Sequence, residues 1–345
     1  VLVCHYPGGE IVHKLDFSRE WTKAAAIVGY HGFPKEIDWV GVRLYSGWRS
    51  TESIEVQSLR FRAFTPEEER CYRLELETLR QAGAPASPTA PLKDFYPFGV
   101  FMDEESSRRL AELMDVSFYD YWQLAFEDIA RHHHNCIVLE HASNMEPRVA
   151  QELLTLAESY DLRVIPVLDW NWESAQQTWG PRLQQNIRPF AESKPVLAWG
   201  LNQPPGEDRY DAFLKARQLF RDADPAHPMV YPSLGDGALH LLSPVLDVAW
   251  LQYFKSNAPW KIGEVVRAHQ HLCRDYPLWV TSPAFVAASD APDWNTCPQI
   301  RLLLNQVLAN GGRGWFSYAY HNDPVWLGGR CERSLTGPFL TFSDL

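Results

Sequence analysis

No stretch of this chain reaches the ~18 consecutive apolar residues that a membrane-crossing helix requires, so no bilayer span is expected. Basic runs are missing too. The 32 Lys and Arg are outnumbered by 43 Asp and Glu, a formal charge of −11. Binding to a phosphate backbone rests on clustered cations, so nucleic acid is not an expected partner. The six cysteines (Cys4, Cys71, Cys136, Cys273, Cys297 and Cys331) form no Cys-x-x-Cys pair and no Cys/His spacing of a structural zinc site. Neither a metal nor a cofactor is implied. The opening Val1-Leu2-Val3-Cys4 does not read as a signal peptide. A chain lacking an initiator Met is compatible with loss of a leader, which leaves the compartment open.

What the sequence does contain is an ordinary globular composition, 46% hydrophobic and 22% charged, over 345 residues. That length implies one large α/β domain, or such a domain with a smaller companion. Aromatic residues are abundant, with 14 Trp, 14 Tyr and 17 Phe. They suit both a heavy core and surfaces that stack on ring-shaped ligands.

Residues 1–64 carry short alternating segments at about Glu10–Phe17, Ala24–Tyr30, Ile37–Tyr45 and Ser53–Phe64, separated by Gly, Pro and Ser. This pattern predicts strands of a partial β-sandwich. Thr65-Pro66-Glu67-Glu68-Glu69 has a hydroxyl N-cap, Pro at the first helical position and acids in the first turn, so a helix starts there and runs to about Ala82. The Pro-rich stretch Gly83–Pro91 reads as a linker. The expected division is therefore 1–64, a partial sandwich; 65–94, helix and linker; and 95–345, a second domain.

From Phe95 onward, eight apolar segments read as strands: Phe98–Met102, Cys136–His141, Arg163–Leu168, Val196–Leu201, Met229–Pro232, Val245–Phe254, Leu278–Pro283 and Gly314–Ala319. Helical periodicity lies between them, at Tyr119–His133, Pro147–Tyr160, Arg209–Arg221, Ile262–Arg274 and Gln299–Asn310. Eight β-α units over ~250 residues are the size and rhythm of an α/β fold of the (β/α)₈ TIM-barrel type. A doubly wound sheet would carry Gly-x-Gly-x-x-Gly after its first strand, and this chain does not. The incomplete sandwich is expected either to continue before Val1 or to lean on the next domain, and an end at Ser343-Asp344-Leu345, where an eighth helix would begin, suggests a truncated or larger parent chain.

Function in such barrels gathers after the C-terminal ends of the strands. The residues there are Asp103; Glu140, His141 and Asn144; Asp169, Trp170, Asn171, Trp172 and Glu173; Asn202 and Gln203; Tyr253; Thr281 and Ser282; and Tyr318, Tyr320 and His321. Within this set Val196-Leu197-Ala198-Trp199-Gly200-Leu201-Asn202-Gln203-Pro204 resembles the fourth strand of the clan A retaining glycoside hydrolases, which ends in Asn-Glu-Pro. Leu278-Trp279-Val280-Thr281-Ser282 resembles their seventh strand, which ends in a second Glu. Tyr253 and the Gly311–Tyr318 segment resemble their strands six and eight.

The resemblance covers about residues 95–345. It implies a carbohydrate ligand bound by Trp170, Trp172, Asn202, Gln203, Tyr253, Ser282, Tyr318 and His321, with residues 1–64 placed like an accessory carbohydrate-binding module. The two catalytic Glu positions of the family are occupied by Gln203 and Ser282. Gln has no acidic proton to donate, and a Ser hydroxyl without an adjacent base is a poor nucleophile.

The expectation is a glycoside-hydrolase-like barrel that is non-hydrolytic, a pseudoenzyme that binds a glycan or serves as a structural or assembly subunit with protein partners. The alternative is an active glycosidase using relocated carboxylates, Glu140 and Asp169, as catalytic pair. Two further features bear on chemistry. His132-His133-His134 point about 100° apart on a helix, so they read as a cationic helix C-terminus and not as a metal site. Cys297 and Cys331 follow strands seven and eight, whose loops are neighbours, and a disulfide between them would favour an extracellular or periplasmic location.

Overall fold

The computed structural model describes residues 2–6, 9–13, 38–42, 58–71, 73–74, 92, 94–191, 193–202, 210–232, 239, 242, 246–254, 259–270, 277–284, 286–287, 297–321 and 331–333. At the N-terminal end, β1 (Leu2–Tyr6), β2 (Gly9–His13) and β3 (Trp39–Val42) form an antiparallel sheet in the order β2-β1-β3. Strand β2 overlaps the expected segment Glu10–Phe17 and β3 falls within Ile37–Tyr45, whereas β1 is an addition. Ala24–Tyr30 and the linker 83–91 lie outside the described residues.

The expected strand over Ser53–Phe64 is not found in its described part. Residues 58–64 have no regular structure, and Leu59, Phe61 and Phe64 are exposed. Alternation alone cannot make a strand without a partner edge to pair with. The helix start at Thr65 is present, with residues 66–71 helical. Glu68 N–H donates to Thr65 Oγ1 (3.3 Å) while Thr65 N–H donates to Glu68 Oε2 (2.9 Å), a reciprocal capping box.

All eight barrel strands are present. They are β4 (Phe98–Asp103), β5 (Cys136–Glu140), β6 (Arg163–Leu168), β7 (Trp199–Leu201), β8 (Met229–Val230), β9 (Ala249–Gln252), β10 (Leu278–Pro283) and, after a short β11 (Val286–Ala287), β12 (Gly314–Tyr318). They pair in the order β8-β7-β6-β5-β4-β12-β10-β9, every neighbour parallel. This is a TIM-barrel-like α/β fold, closed by hydrogen bonds everywhere except between β8 and β9 among the described residues.

The interleaved helices are α1 (Glu104–Leu113), α2 (Phe118–Arg131), α3 (Pro147–Ser159), α4 (Trp179–Ile187), α5 (Tyr210–Ala223), α6 (Ile262–Gln270) and α7 (Cys297–Ala309). Five of them match the periodic segments, and α1 and α4 are added. No helix among the described residues is long and apolar enough to cross a membrane. A final β13 (Cys331–Arg333) pairs antiparallel with β11, Ala287 opposite Cys331, so the backbones that follow strands seven and eight are indeed adjacent. The Cys297 and Cys331 side chains lie outside what the structure describes.

Strand alternation sorts the buried residues into two cores. Phe101, Cys136, Val138, Ile165, Val167, Val248, Trp250, Trp279 and Phe316 fill the barrel interior. The residues between them, such as Val100, Ile137, Val164, Val280 and Trp315, face the helices. Four interior rings meet one another, Phe101 with Trp250 at 6.0 Å, Trp250 with Phe316 at 4.2 Å and Trp279 with Phe316 at 5.5 Å between centroids. Room for them comes from small neighbours: a Cβ on Gly99 would stand 2.6 Å from the Phe316 ring.

The helices dock by stripes, as in α2, where Tyr121, Trp122, Ala125, Phe126 and Ile129 are buried. Ser117 Oγ caps this helix by accepting from Asp120 N–H (3.1 Å). Of the three histidines at its end, one departs from the expected cationic terminus. His134 stacks on Phe98 (4.3 Å, 7°), and burial pushes its imidazole down to about 4, so it is neutral at physiological pH.

Candidate functional site

The barrel interior fixes which rim residues point into the mouth. Counting two residues on from the interior residues Phe101, Val138 and Val167 gives Asp103, Glu140 and Asp169, and the same count from Gly200, which packs on Val167, gives Asn202. Three carboxyls and an amide thus stand on the inner side of four consecutive strand ends. Asp103 and Glu140 are register partners. Asp103 is buried, and its Oδ1 caps α1 by accepting from Ser106 N–H at 2.7 Å.

Asp169 is the hub of the cluster. Its Oδ1 accepts from Asn202 Nδ2 at 2.7 Å and lies 3.0 Å from His141 Nδ1, and Asn144 Nδ2 reaches its Oδ2 at 3.4 Å. Its backbone N–H donates to Ser143 Oγ at 2.8 Å, and Asn202 Oδ1 accepts from Trp170 N–H at 3.1 Å. Both ends of the Asn202 amide are therefore committed. His141 takes a left-handed backbone (φ 55°), which turns the chain sharply as it leaves β5. The hydrogen bond to Asp169, which outweighs partial burial, raises His141 to about 9, so it is an imidazolium at neutral pH.

Glu140 behaves in the opposite sense. Burial raises its carboxyl to about 7, His141 pulls it down, and the like charges of Asp103 and Asp169 add to the rise. Its Oε2 is shut off from solvent and has no hydrogen-bond partner. The site therefore holds one carboxyl, Glu140, that exchanges a proton near neutrality beside another, Asp169, that is held by three side chains.

The aromatic residues of the rim are mostly packed inward. Trp170 is 8% exposed and Trp179 2%, and with the half-buried Trp172 they form a mutual cluster at 5.2–5.9 Å. Trp179 Nε1 donates to Ser174 Oγ at 2.9 Å. Tyr253 is buried, with its backbone N–H on Thr281 O. The half-buried Tyr318 ring leans on Phe101 (5.0 Å) and Phe254 (5.7 Å) at the top of the interior.

His321 is fully buried behind the rim. Its Nε2 faces Ser107 Oγ at 3.2 Å and its Nδ1 faces Tyr121 Oη at 2.8 Å. Because Ser107 Oγ spends its proton on Asp103 O (2.7 Å), it accepts from Nε2. Glu173 is exposed, its N–H on Asn171 Oδ1.

Of the two positions singled out by the family resemblance, Gln203 lies outside the described residues. Ser282 is 1% exposed and follows the alternation of Leu278 and Val280, which belong to the helix-facing core. It pairs in register with Ser317, whose Oγ accepts from the outward-facing Trp315 Nε1. The inward residue at this strand end is Thr281, whose Oγ1 accepts from Trp250 Nε1 at 2.7 Å. Sequence reasoning passed over Ser143, Ser107 and Tyr121. Ser107 and Tyr121 meet His321 from 214 and 200 residues away, a proximity that no local pattern encodes.

No family model matches the sequence, and no match is found among curated proteins. Solved structures do match, through the barrel. An exo-beta-1,4-mannosidase from Opitutaceae bacterium strain TAV5 aligns at TM-score 0.51 and 13% identity over 72% of this chain and 57% of its own. A GH2 beta-galacturonidase from Eisenbergiella tayi aligns at 0.53 and 14%, over 71% and 49%. A beta-galactosidase from the psychrophilic Marinomonas ef1 aligns at 0.56 and 11%, over 72% and 57%. The chain spans about half the length of these proteins, and the likeness is one of fold: a glycoside-hydrolase-like barrel.

Proposed function

We propose that this chain is a non-hydrolytic member of the glycoside-hydrolase-like barrels that holds a carbohydrate at its mouth. The observation that carries this reading is the mutual commitment of Asp169 and Asn202. The Asp169 carboxyl, which already accepts from His141, Asn144 and Asn202, is braced within the protein. A retaining nucleophile or acid must instead direct a free oxygen at the anomeric centre, with its partner carboxyl about 5–5.5 Å away. Thr281, Ser282 and Pro283 at the end of strand seven supply no carboxyl.

What remains open at the mouth is hydrogen-bonding capacity suited to hydroxyls on the exposed side of Asp169, while Glu140 Oε2 is buried without a partner. The test is turnover of a panel of aryl glycosides alongside a glycan-binding screen. Binding without turnover is the expected result. Turnover that disappears in Glu140→Gln or Asp169→Asn would overturn it. Absence of any glycan binding would leave the barrel as an assembly subunit.

One observation favours a second reading, a glycosidase with relocated acids. Glu140 is held near neutrality by burial, as a general acid requires. In that reading Glu140 protonates the leaving oxygen and Asp169 is its ionised partner. The same aryl-glycoside panel separates the two.

A further inference from the structure

Among the described residues the inner rim gathers three carboxyls, Asp103, Glu140 and Asp169, around the imidazolium of His141. The other polar side chains that enclose them, Ser143, Asn144 and Asn202, are neutral. Their lone pairs are not all used. Asp169 Oδ2 has only the long contact from Asn144, and Glu140 Oε2 is buried without any donor. A buried acceptor left empty is costly, so a donor arriving from a ligand recovers what the fold leaves unsatisfied. The approach is open from above, where His141 and Asp169 side chains are 57% and 30% exposed. Among the described residues no three His, Cys, Asp or Glu side chains are arranged to hold a metal ion. An occupant with three directional donors and a positive charge fits instead.

We propose that the carbohydrate taken at this mouth is an amino sugar with a free ammonium group, its nitrogen seated between Glu140 and Asp169. This rests on the reading of the mouth as a carbohydrate site and narrows its ligand class. The ammonium donates to Asp169 Oδ2 and, as the Glu140 side chain turns its buried Oε2 toward the mouth, to that oxygen as well, with the sugar ring lying against the rim. Binding draws the proton off Glu140, because the cation favours its ionised form.

Isothermal titration at pH 6 tests it with three β-1,4-linked tetramers of one backbone: the glucosamine tetramer, its fully N-acetylated counterpart and cellotetraose. The glucosamine tetramer is expected to bind at least 10-fold tighter than the other two and to weaken with added salt. Proton release, measured in two buffers of different ionisation enthalpy, should accompany it. Glu140→Gln should abolish that release and cost at least 10-fold in affinity. Wild-type proton release and salt dependence decide the matter should the variant fold poorly. Equal affinity for the amine and cellotetraose overturns the amino-sugar assignment while leaving a carbohydrate site in place. Binding of none of the three tetramers overturns it as well, and aryl-glycoside turnover bears only on whether the barrel hydrolyses.

Discussion

Asn202 at the end of the fourth barrel strand and Asp169 at the end of the third are bonded to each other, Nδ2 to Oδ1 at 2.7 Å. Asn202 thus has its donor spent inside the protein. Its acceptor is spent too, on Trp170 N–H. Replacing it with Ala removes both contacts from an exposed position, so the expected loss is ~0.5–1.5 kcal/mol, visible as a lower urea midpoint with an unchanged slope. Asn202→Asp, which sets a second negative charge against Asp169, should be the worse of the two.

The pH dependence of stability follows from Glu140 and His141. Glu140 binds its proton more tightly folded (about 7) than a carboxyl does in the unfolded chain, and His141 likewise (about 9, against an ordinary 6.5). In both cases the folded state holds the extra proton, so the stabilisation is complete below the unfolded value and lost as pH rises through the folded one. The Glu140 contribution falls away between about pH 4.5 and 7, and that of His141 between about 6.5 and 9. Glu140→Gln should therefore be more stable than wild type above pH 7, by about 1–3 kcal/mol, with the advantage shrinking toward pH 4.5. Urea denaturation at pH 5, 7 and 8.5 checks this. An advantage that grows toward low pH would mean that Glu140 is not held protonated.

The barrel was legible in the sequence because each strand is a short apolar run with a helix of 3.6 periodicity behind it, as in Cys136–Glu140 followed by Pro147–Ser159. The acids of the mouth were legible for the same reason, since Glu140 and Asp169 sit where those runs end. The facing of individual residues was not. Ser282 looks like a strand-end functional residue by motif, yet a one-residue step decides whether a side chain enters the barrel or meets the helices. The segment Leu59–Phe64 shows the converse failure, alternation without an edge to pair with.

Gly99 is a second test of the interior. Its added Cβ in Gly99→Ala would press on Phe316 at 2.6 Å and on Cys136 O at 2.9 Å, and the latter is backbone that cannot swing away. Overpacking of this kind costs ~1–3 kcal/mol. A thermal melt should show a drop of several degrees without loss of the helical far-ultraviolet signal. A neutral outcome would show that the Phe316 ring has slack.

Arg217 on α5 and Asp247 ahead of β9 form a buried ion pair at 2.5 Å, with side chains 3% and 9% exposed. Asp247 Oδ2 also accepts from Met229 N–H (3.4 Å), so the pair ties helix α5 to the strands β8 and β9, between which no hydrogen bonds run among the described residues. Arg217→Met leaves a buried carboxylate facing an apolar chain, a loss of ~3–5 kcal/mol. Adding Asp247→Leu should recover most of it, and a double-mutant cycle in urea reads the coupling.

Ser282 separates motif from facing. If its side chain sat at the mouth like the family's seventh-strand acid, Ser282→Glu would add a carboxyl there and Ser282→Ala would alter ligand affinity. In this structure Ser282 Oγ is buried on the helix side with no hydrogen-bond partner, so its desolvation is uncompensated. Ser282→Ala should therefore leave carbohydrate affinity unchanged and hold or raise the melting temperature. Ser282→Glu should place an unpaired charge between strand and helix, destabilise the fold by several kcal/mol, and confer no aryl-glycoside turnover. A stable Ser282→Glu variant with new turnover would reverse the assigned facing.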